Sequence, residues 1–143
     1  MLLIINICKE KLHYYEFVKP IEDILKNKGI KFETKHYKEI DEKKIKEYNR
    51  IIICGTSLKD FDYLNPENLK KFNWIIFYEK PILGICGGMQ IIGLVFGGKL
   101  RKMKEIGFYN EIFKKNFLGL KGRHEVYHLH NNGITLPKNF EAF

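Results

Sequence analysis

The sequence predicts an α/β fold, in which helices cover both faces of a doubly wound, mostly parallel sheet. Short runs of apolar, β-branched residues alternate along the chain with longer segments of helical periodicity. The runs are continuously apolar, which is typical of strands that are buried on both faces. A length of 143 residues and a hydrophobic fraction of 45% suit a single domain spanning residues 1–143.

The first part of the chain contains four predicted strands and four predicted helices, in alternation. The strands are predicted at residues 2–8, 31–37, 50–54 and 81–86. The helices are predicted at residues 14–28, at 41–48, from 65 onward, and at 88–96. Gly29 follows the first helix as a stop signal, and Pro66 suits the first position of the third. This order predicts βαβ units and therefore parallel strand pairing.

The pattern changes after residue 100. Residues 106–113 and 125–130 read as short strands, and Asn131-Asn132-Gly133 reads as a hairpin turn. Residues 140–143 alternate like the beginning of another strand. We therefore expect that the C-terminal strands of the sheet are missing and that the domain is incomplete at its C-terminus.

Composition argues against several classes of function. The net charge is +8, but the lysines are spread over the chain as on solvated helix faces, so we expect no nucleic-acid partner. The apolar N-terminal run is short and lacks a basic segment before it, which predicts a cytoplasmic protein without a signal peptide or a membrane partner. Three widely spaced cysteines without a Cys-x-x-Cys pair predict neither a disulfide framework nor a metal site. No cofactor is expected.

Cys86 lies at a predicted junction between a strand and a helix, with Gly84 and Gly88 two positions away on either side. This spacing is typical of a strained turn that lifts a nucleophile above the sheet. The helix N-terminus should lower the pKa of the thiol, and the Gly87 N–H would face a developing oxyanion. A second donor is expected at Gly55 or Thr56, on the same rim of the sheet. The plainer alternative is a buried cysteine before a glycine turn.

Cys8 and Cys54 lie within or at the end of apolar strand runs, and we interpret both as inert core residues.

Residues 81–100, PILGICGGMQIIGLVFGGKL, resemble the nucleophile segment of class I (triad-type) glutamine amidotransferases. The resemblance covers the cysteine, its flanking glycines, Gln90 and the Gly97-Gly98 stop. Residues 50–55 are similar to the family's oxyanion strand, and residues 127–137 resemble its histidine-containing substrate loop. The resemblance implies a flavodoxin-like sheet and no cofactor.

The resemblance also implies a function. Cys86 would attack the side-chain amide of glutamine, form a thioester and release ammonia to a partner synthase. Gly55 and Gly87 would supply the oxyanion hole. Four residues would bind the glutamine: Gln90, His130, Asn131 and Asn132. The residues of the motif, and no other feature, favour GMP synthase as the partner.

Two features depart from the family pattern. Gly55-Thr56-Ser57 stands where the family usually has Gly-Gly-Pro, and no His-x-Glu, the family's base and its partner, occurs in the chain. An alternative is therefore a catalytically inactive binding or regulatory protein. A substitute base among His124, His128 and His130 is another possibility. A third is a cysteine enzyme of the DJ-1/PfpI group, whose nucleophile segment usually lacks the Met89-Gln90 pattern.

Overall fold

The computed structural model describes all 143 residues and contains a four-stranded parallel sheet. The strands are β1 (Leu2–Asn6), β2 (Phe32–His36), β3 (Arg50–Ile53) and β4 (Ile82–Gly84). Their order across the sheet is β2-β1-β3-β4, and every pairing is parallel. The chain thus has the α/β fold with a mostly parallel sheet that the sequence predicts.

Four α-helices connect or follow these strands. They are α1 (Lys11–Phe17), α2 (Lys19–Asn27), α3 (Pro66–Leu69) and α4 (Gly87–Val95). A 3₁₀-helix, Lys70–Phe77, continues directly from α3. None of these helices combines the length and the apolar character required to cross a membrane.

Strand β1 shows why the sheet is covered on both faces. Leu3 and Ile5 pack into a large apolar cluster that includes Phe72 and Ile91, whereas Ile4 packs into a second cluster with Val18. All of these side chains are fully buried. Because successive strand residues point to opposite faces, the continuous apolar run of β1 requires a core on each side.

The structure corrects two of the predicted helices. The helix predicted at residues 14–28 is divided at Val18, because Pro20 has no N–H to donate to the carbonyl of Glu16. The helix predicted at residues 41–48 is reduced to turns and a single 3₁₀ segment, Ile45–Glu47. That segment is polar and shorter than an isolated helix needs for stability.

The remainder of the chain forms a long antiparallel hairpin rather than short strands. Strands β5 (Leu100–Phe117) and β6 (Leu120–Ile134) are joined at Leu118 and Gly119, both with positive φ. The turn predicted at residues 131–133 is wrong, since these residues belong to β6 and Gly133 pairs with Arg101. No strand forms at residues 140–143.

Candidate active site

Cys86 occupies a strained turn between β4 and α4. Its φ of 49° and ψ of −105° lie in a region that few residues other than glycine adopt. A Cβ on Gly84 would lie 2.6 Å from the backbone of Gly88, and one on Gly88 would lie 2.2 Å from the carbonyl oxygen of Ile53. Strand and helix therefore meet so closely that only glycine fits on either side of Cys86, as its spacing predicts.

Two backbone N–H groups lie beside the cysteine. Gly87 is the first residue of α4, so its N–H has no acceptor within the helix. Gly55 follows β3, and its N–H forms no backbone hydrogen bond. A Cβ on Gly55 would lie 3.2 Å from the Cβ of Cys86, which places the two residues in contact. The geometry thus provides two donors on the same rim.

The Cys86 thiol is only partly buried and lies against strand β6. Its Sγ lies 3.8 Å from the carbonyl oxygen of Leu129 in β6, to which the thiol donates. Burial raises the pKa of Cys86 above its ordinary value, although the N–H of Gly87 acts in the opposite direction. The sequence-based expectation of a lowered pKa therefore differs from the structure, because strand β6 covers the thiol and no cation lies against it.

The other two cysteines lie in the core, as predicted. Cys54 is fully buried, and burial raises its pKa to about 12. Cys8 is also buried, and its pKa is raised chiefly by loss of solvation. Neither thiol is accessible in the folded chain.

Gln90 connects the sheet to the hairpin. It lies one helical turn after Cys86 and is 3% exposed. Its Oε1 accepts a hydrogen bond from the hydroxyl of Tyr63 at 2.8 Å, and its Nε2 donates to the carbonyl oxygen of Asn132 at 2.9 Å. Both ends of the amide are satisfied, so the side chain is held in one orientation.

The structure brings all of the predicted substrate residues to one cleft beside Cys86. The cleft is lined by Gln90, His130, Asn131 and Asn132, together with residues that follow β3. Asn131 donates from Nδ2 to the carbonyl oxygen of Leu58 at 3.2 Å. The volume of the cleft is about 20 Å³, which is room for a single water molecule. Strand β6 therefore closes the cleft in this conformation.

None of the three candidate histidines in β6 forms a hydrogen bond with Cys86. His124 contacts the carbonyl oxygen of Lys121, and His128 contacts Glu105. His130 lines the cleft, but its ring nitrogens face Met103 and Glu105. The geometry therefore provides no substitute base in contact with the thiol.

Two further residues line the cleft: Tyr63, which sequence reasoning missed, and Thr56, which it named only as an alternative oxyanion donor. Tyr63 holds Gln90 and lies 3.1 Å from the position of a Cβ on Gly87. Thr56 is buried and donates to a carboxylate oxygen of Asp60 at 2.8 Å. Tyr63 lies 27 residues before Gln90 in the chain, so no local pattern in the sequence indicates the contact.

Comparisons with known proteins identify the family of the chain. Residues 12–143 match the model of the family described as glutamine amidotransferase class-I. The chain is 35% identical to the glutamine-hydrolyzing GMP synthase subunit of Methanosphaera stadtmanae over 114 residues, 65% of this chain and 60% of that protein. It is 43% identical to the carbamoyl phosphate synthase small chain of Saccharolobus solfataricus over 61 residues, 43% of this chain and 17% of that protein.

Solved structures show the same fold. A glutamine amidotransferase from Thermotoga maritima matches 96% of this chain and 63% of its own, with a TM-score of 0.71 and 25% identity. The chain spans about three fifths of the length of that protein and of the M. stadtmanae relative. The family match covers strands β2, β3 and β4, the turn at Cys86 and the hairpin. The chain belongs to the class I glutamine amidotransferase family.

Proposed function

We propose that this chain is a glutaminase domain that releases ammonia from glutamine and supplies it to a partner synthase. The observation that carries the proposal is the strained backbone of Cys86, with the N–H groups of Gly55 and Gly87 beside it. The family to which the chain belongs supports glutamine as the substrate. The relationship to a subunit of GMP synthase favours that synthase as the ammonia acceptor.

The proposed reaction has two stages. The sulfur of Cys86 forms a bond to the side-chain amide carbon of glutamine, and the carbonyl oxygen becomes an oxyanion facing Gly55 and Gly87. The C–N bond then breaks, and the nitrogen takes the proton that the thiol has lost and leaves as ammonia. Water attacks the resulting γ-glutamyl thioester, breaks the C–S bond and releases glutamate.

Glutamine would bind between the sheet and the hairpin. Gln90 would contact the substrate, and residues 130–132 would hold its amino-acid end. A cleft of about 20 Å³ is too small for this ligand, so residues 129–132 must move away from Cys86 first. Few buried side chains anchor β6, which supports such a movement.

A second candidate is a binding or regulatory protein that retains the fold but not the catalysis. Two observations favour it: burial raises the pKa of Cys86, and no histidine contacts the thiol. Proton transfer to the leaving ammonia requires a base near the thiol. In this second function, glutamine would bind in the same cleft and remain intact.

Labelling with a diazoketone analogue of glutamine tests the nucleophile. The expected result is one covalent adduct on Cys86, located by mass spectrometry of peptides, which excess glutamine prevents. The Cys86→Ser variant should not be labelled. The matched control is Cys8→Ser, which removes a buried thiol of the same domain and should leave labelling unchanged. Absence of an adduct in the protein expressed from its whole reading frame would overturn the glutaminase function and leave the binding function.

Glutamate release then separates the two functions. The protein expressed from its whole reading frame should produce glutamate and ammonia in equal amounts, and Cys86→Ser should abolish both. Labelling without glutamate release would select the binding function. Sequencing the coding DNA beyond the codon for Phe143 shows directly whether a His-x-Glu follows.

A further inference from the structure

Two histidines and a glutamate meet on the hairpin, away from the Cys86 thiol. His128 and His130 lie two residues apart on β6, so their side chains share one face. Glu105 pairs with His130 across the two strands. The nearest ring nitrogen of His128 lies 2.6 Å from Oε2 of Glu105, and that of His130 lies 3.0 Å from the same oxygen. The three ligand atoms all lie within 4.8 Å of one another.

The ring nitrogens of His130 face two different oxygen atoms. Its Nδ1 lies 2.9 Å from the carbonyl oxygen of Met103, which only accepts hydrogen bonds. Nδ1 is therefore the nitrogen that donates, and Nε2 is left to face Oε2 of Glu105. An imidazole nitrogen and a carboxylate oxygen that face each other are both ligands for a divalent cation.

The surroundings are those of a metal-binding histidine pair. When one ring nitrogen of a histidine binds a metal, the other usually donates to a carbonyl or carboxylate oxygen. Met103 supplies this acceptor for His130, and Glu111 lies 3.6 Å from Nε2 of His128. Tyr109 stacks on the ring of His128 with a centroid separation of 4.8 Å. Contacts with Met103, Glu111 and Tyr109 therefore help to hold the two rings in these orientations.

The spacing of the three groups is near that around a small divalent cation. Zinc–nitrogen and zinc–oxygen bonds of about 2.0–2.1 Å in a tetrahedron place neighbouring ligand atoms about 3.3 Å apart. The two nitrogen–oxygen separations, 2.6 and 3.0 Å, are shorter than this, so the carboxylate of Glu105 must move away from both rings to admit the ion. The side chains of the three residues are 20–27% exposed, which leaves the fourth position open to water.

We propose that Glu105, His128 and His130 form a zinc-type divalent metal site with two imidazoles, one carboxylate and water as ligands. Because His130 adjoins Asn131 and Asn132, a bound ion would also fix the segment of β6 that closes the cleft. The sequence-based prediction of no metal site considered only Cys-x-x-Cys spacing. The strand register that brings Glu105 to the histidines is visible only in the structure.

Titration of the apo protein with Zn²⁺, followed by calorimetry, tests the proposal. Cys86→Ser serves as the background for every variant, because a thiolate is itself a zinc ligand. The background protein should bind one equivalent of Zn²⁺. His128→Gln should weaken binding more than 100-fold, and Glu111→Gln about 10-fold, as expected for loss of a ligand and of its supporting group. The matched control is His124→Gln, which removes a half-buried histidine of the same strand whose ring contacts Lys121, and it should leave binding unchanged.

Co²⁺ provides a second measurement that reports the ligands directly. Its visible absorption should appear in the background protein and in His124→Gln and be absent from Glu105→Gln, whose side chain has nearly the same shape. Circular dichroism checks that each variant remains folded. Lack of saturable Zn²⁺ binding, or equal binding by His128→Gln and His124→Gln, would overturn the proposal and leave a network held together by protons only.

Discussion

The parallel sheet and the hairpin of this molecule differ in how they are stabilised. Every residue of β1 from Leu3 to Ile5 is fully buried, and apolar clusters lie on both faces of the sheet. No residue of β5 is buried, and Gly133 is the only buried residue of β6. The stability of the hairpin depends mainly on the backbone hydrogen bonds between β5 and β6 and on their cross-strand side-chain pairs.

The difference matters because the candidate site is built from both regions. Cys86, Gly55 and Gln90 belong to the buried part, whereas residues 129–132 belong to the hairpin. The Cys86 thiol and the N–H group of Gly55, to which we assign the nucleophile and an oxyanion donor only as a proposal, thus belong to the well-packed region. The residues that close the cleft lie on an element with few buried side chains, which is the part that opens at the least free-energy cost.

The largest expected effect comes from truncating the core beneath the sheet. Phe72 is fully buried, so Phe72→Ala should lower the free energy of unfolding by about 3–5 kcal/mol. Phe108→Ala in β5 removes the same atoms from a side chain that is 71% exposed and should cost less than about 1 kcal/mol. Urea denaturation of both variants measures the difference. Equal costs would show that the hairpin contributes to the core.

Replacing two glycines of α4 by alanine, one at a time, tests how the sheet and the hairpin each respond to added volume. The Cβ of Gly88→Ala would meet the backbone of β3 at 2.2 Å, which cannot yield, so destabilisation of about 3 kcal/mol is expected. The Cβ of Gly93→Ala would meet the side chain of Ile134 in β6 at 2.5 Å. The hairpin can shift, so thermal unfolding should show a smaller loss for Gly93→Ala. A larger loss of stability in Gly93→Ala than in Gly88→Ala would show that the hairpin is the more rigid region.

Gln90 is the polar link between the regions. Gln90→Leu leaves the Tyr63 hydroxyl and the Asn132 carbonyl without this partner and should cost about 1–3 kcal/mol. Hydrogen exchange should then become faster in β6 near Asn132 and remain slow in β1. Tyr63→Phe, which removes only the bond to Oε1, is the matched control. Uniformly faster exchange in both regions would show a global effect instead.

The smallest expected effect is on thiol chemistry. Burial raises the pKa of Cys86, so the thiol is protonated at neutral pH and the thiolate fraction increases as pH rises. The rate of alkylation by iodoacetamide should therefore increase about tenfold per pH unit up to the pKa. Cys8 and Cys54 should react only after unfolding. A rate that is already independent of pH at neutrality would show that the thiol is activated.

The parallel pairing of the sheet and the turn at Cys86 can both be predicted from the sequence. Continuous apolar runs have only one stable location, between two layers, and they predicted β1, β3 and parallel pairing. Gly84, Cys86 and Gly88 predicted the strained turn, because the approach of β4 to α4 at Gly84 involves residues only four apart in the chain. The approach of Gly88 to Ile53 in β3 is not contained in this spacing.

The hairpin and its contacts with Cys86 and Gln90 are visible only in the folded chain. Asn131-Asn132-Gly133 has the composition of a turn, yet pairing with β5 over its whole length kept it in a strand and left the turn to Leu118 and Gly119. The raised pKa of Cys86 depends on the cover provided by β6, and the link from Gln90 to Asn132 spans 42 residues. Register between distant strands is set by summed pairing energies, which no local pattern contains.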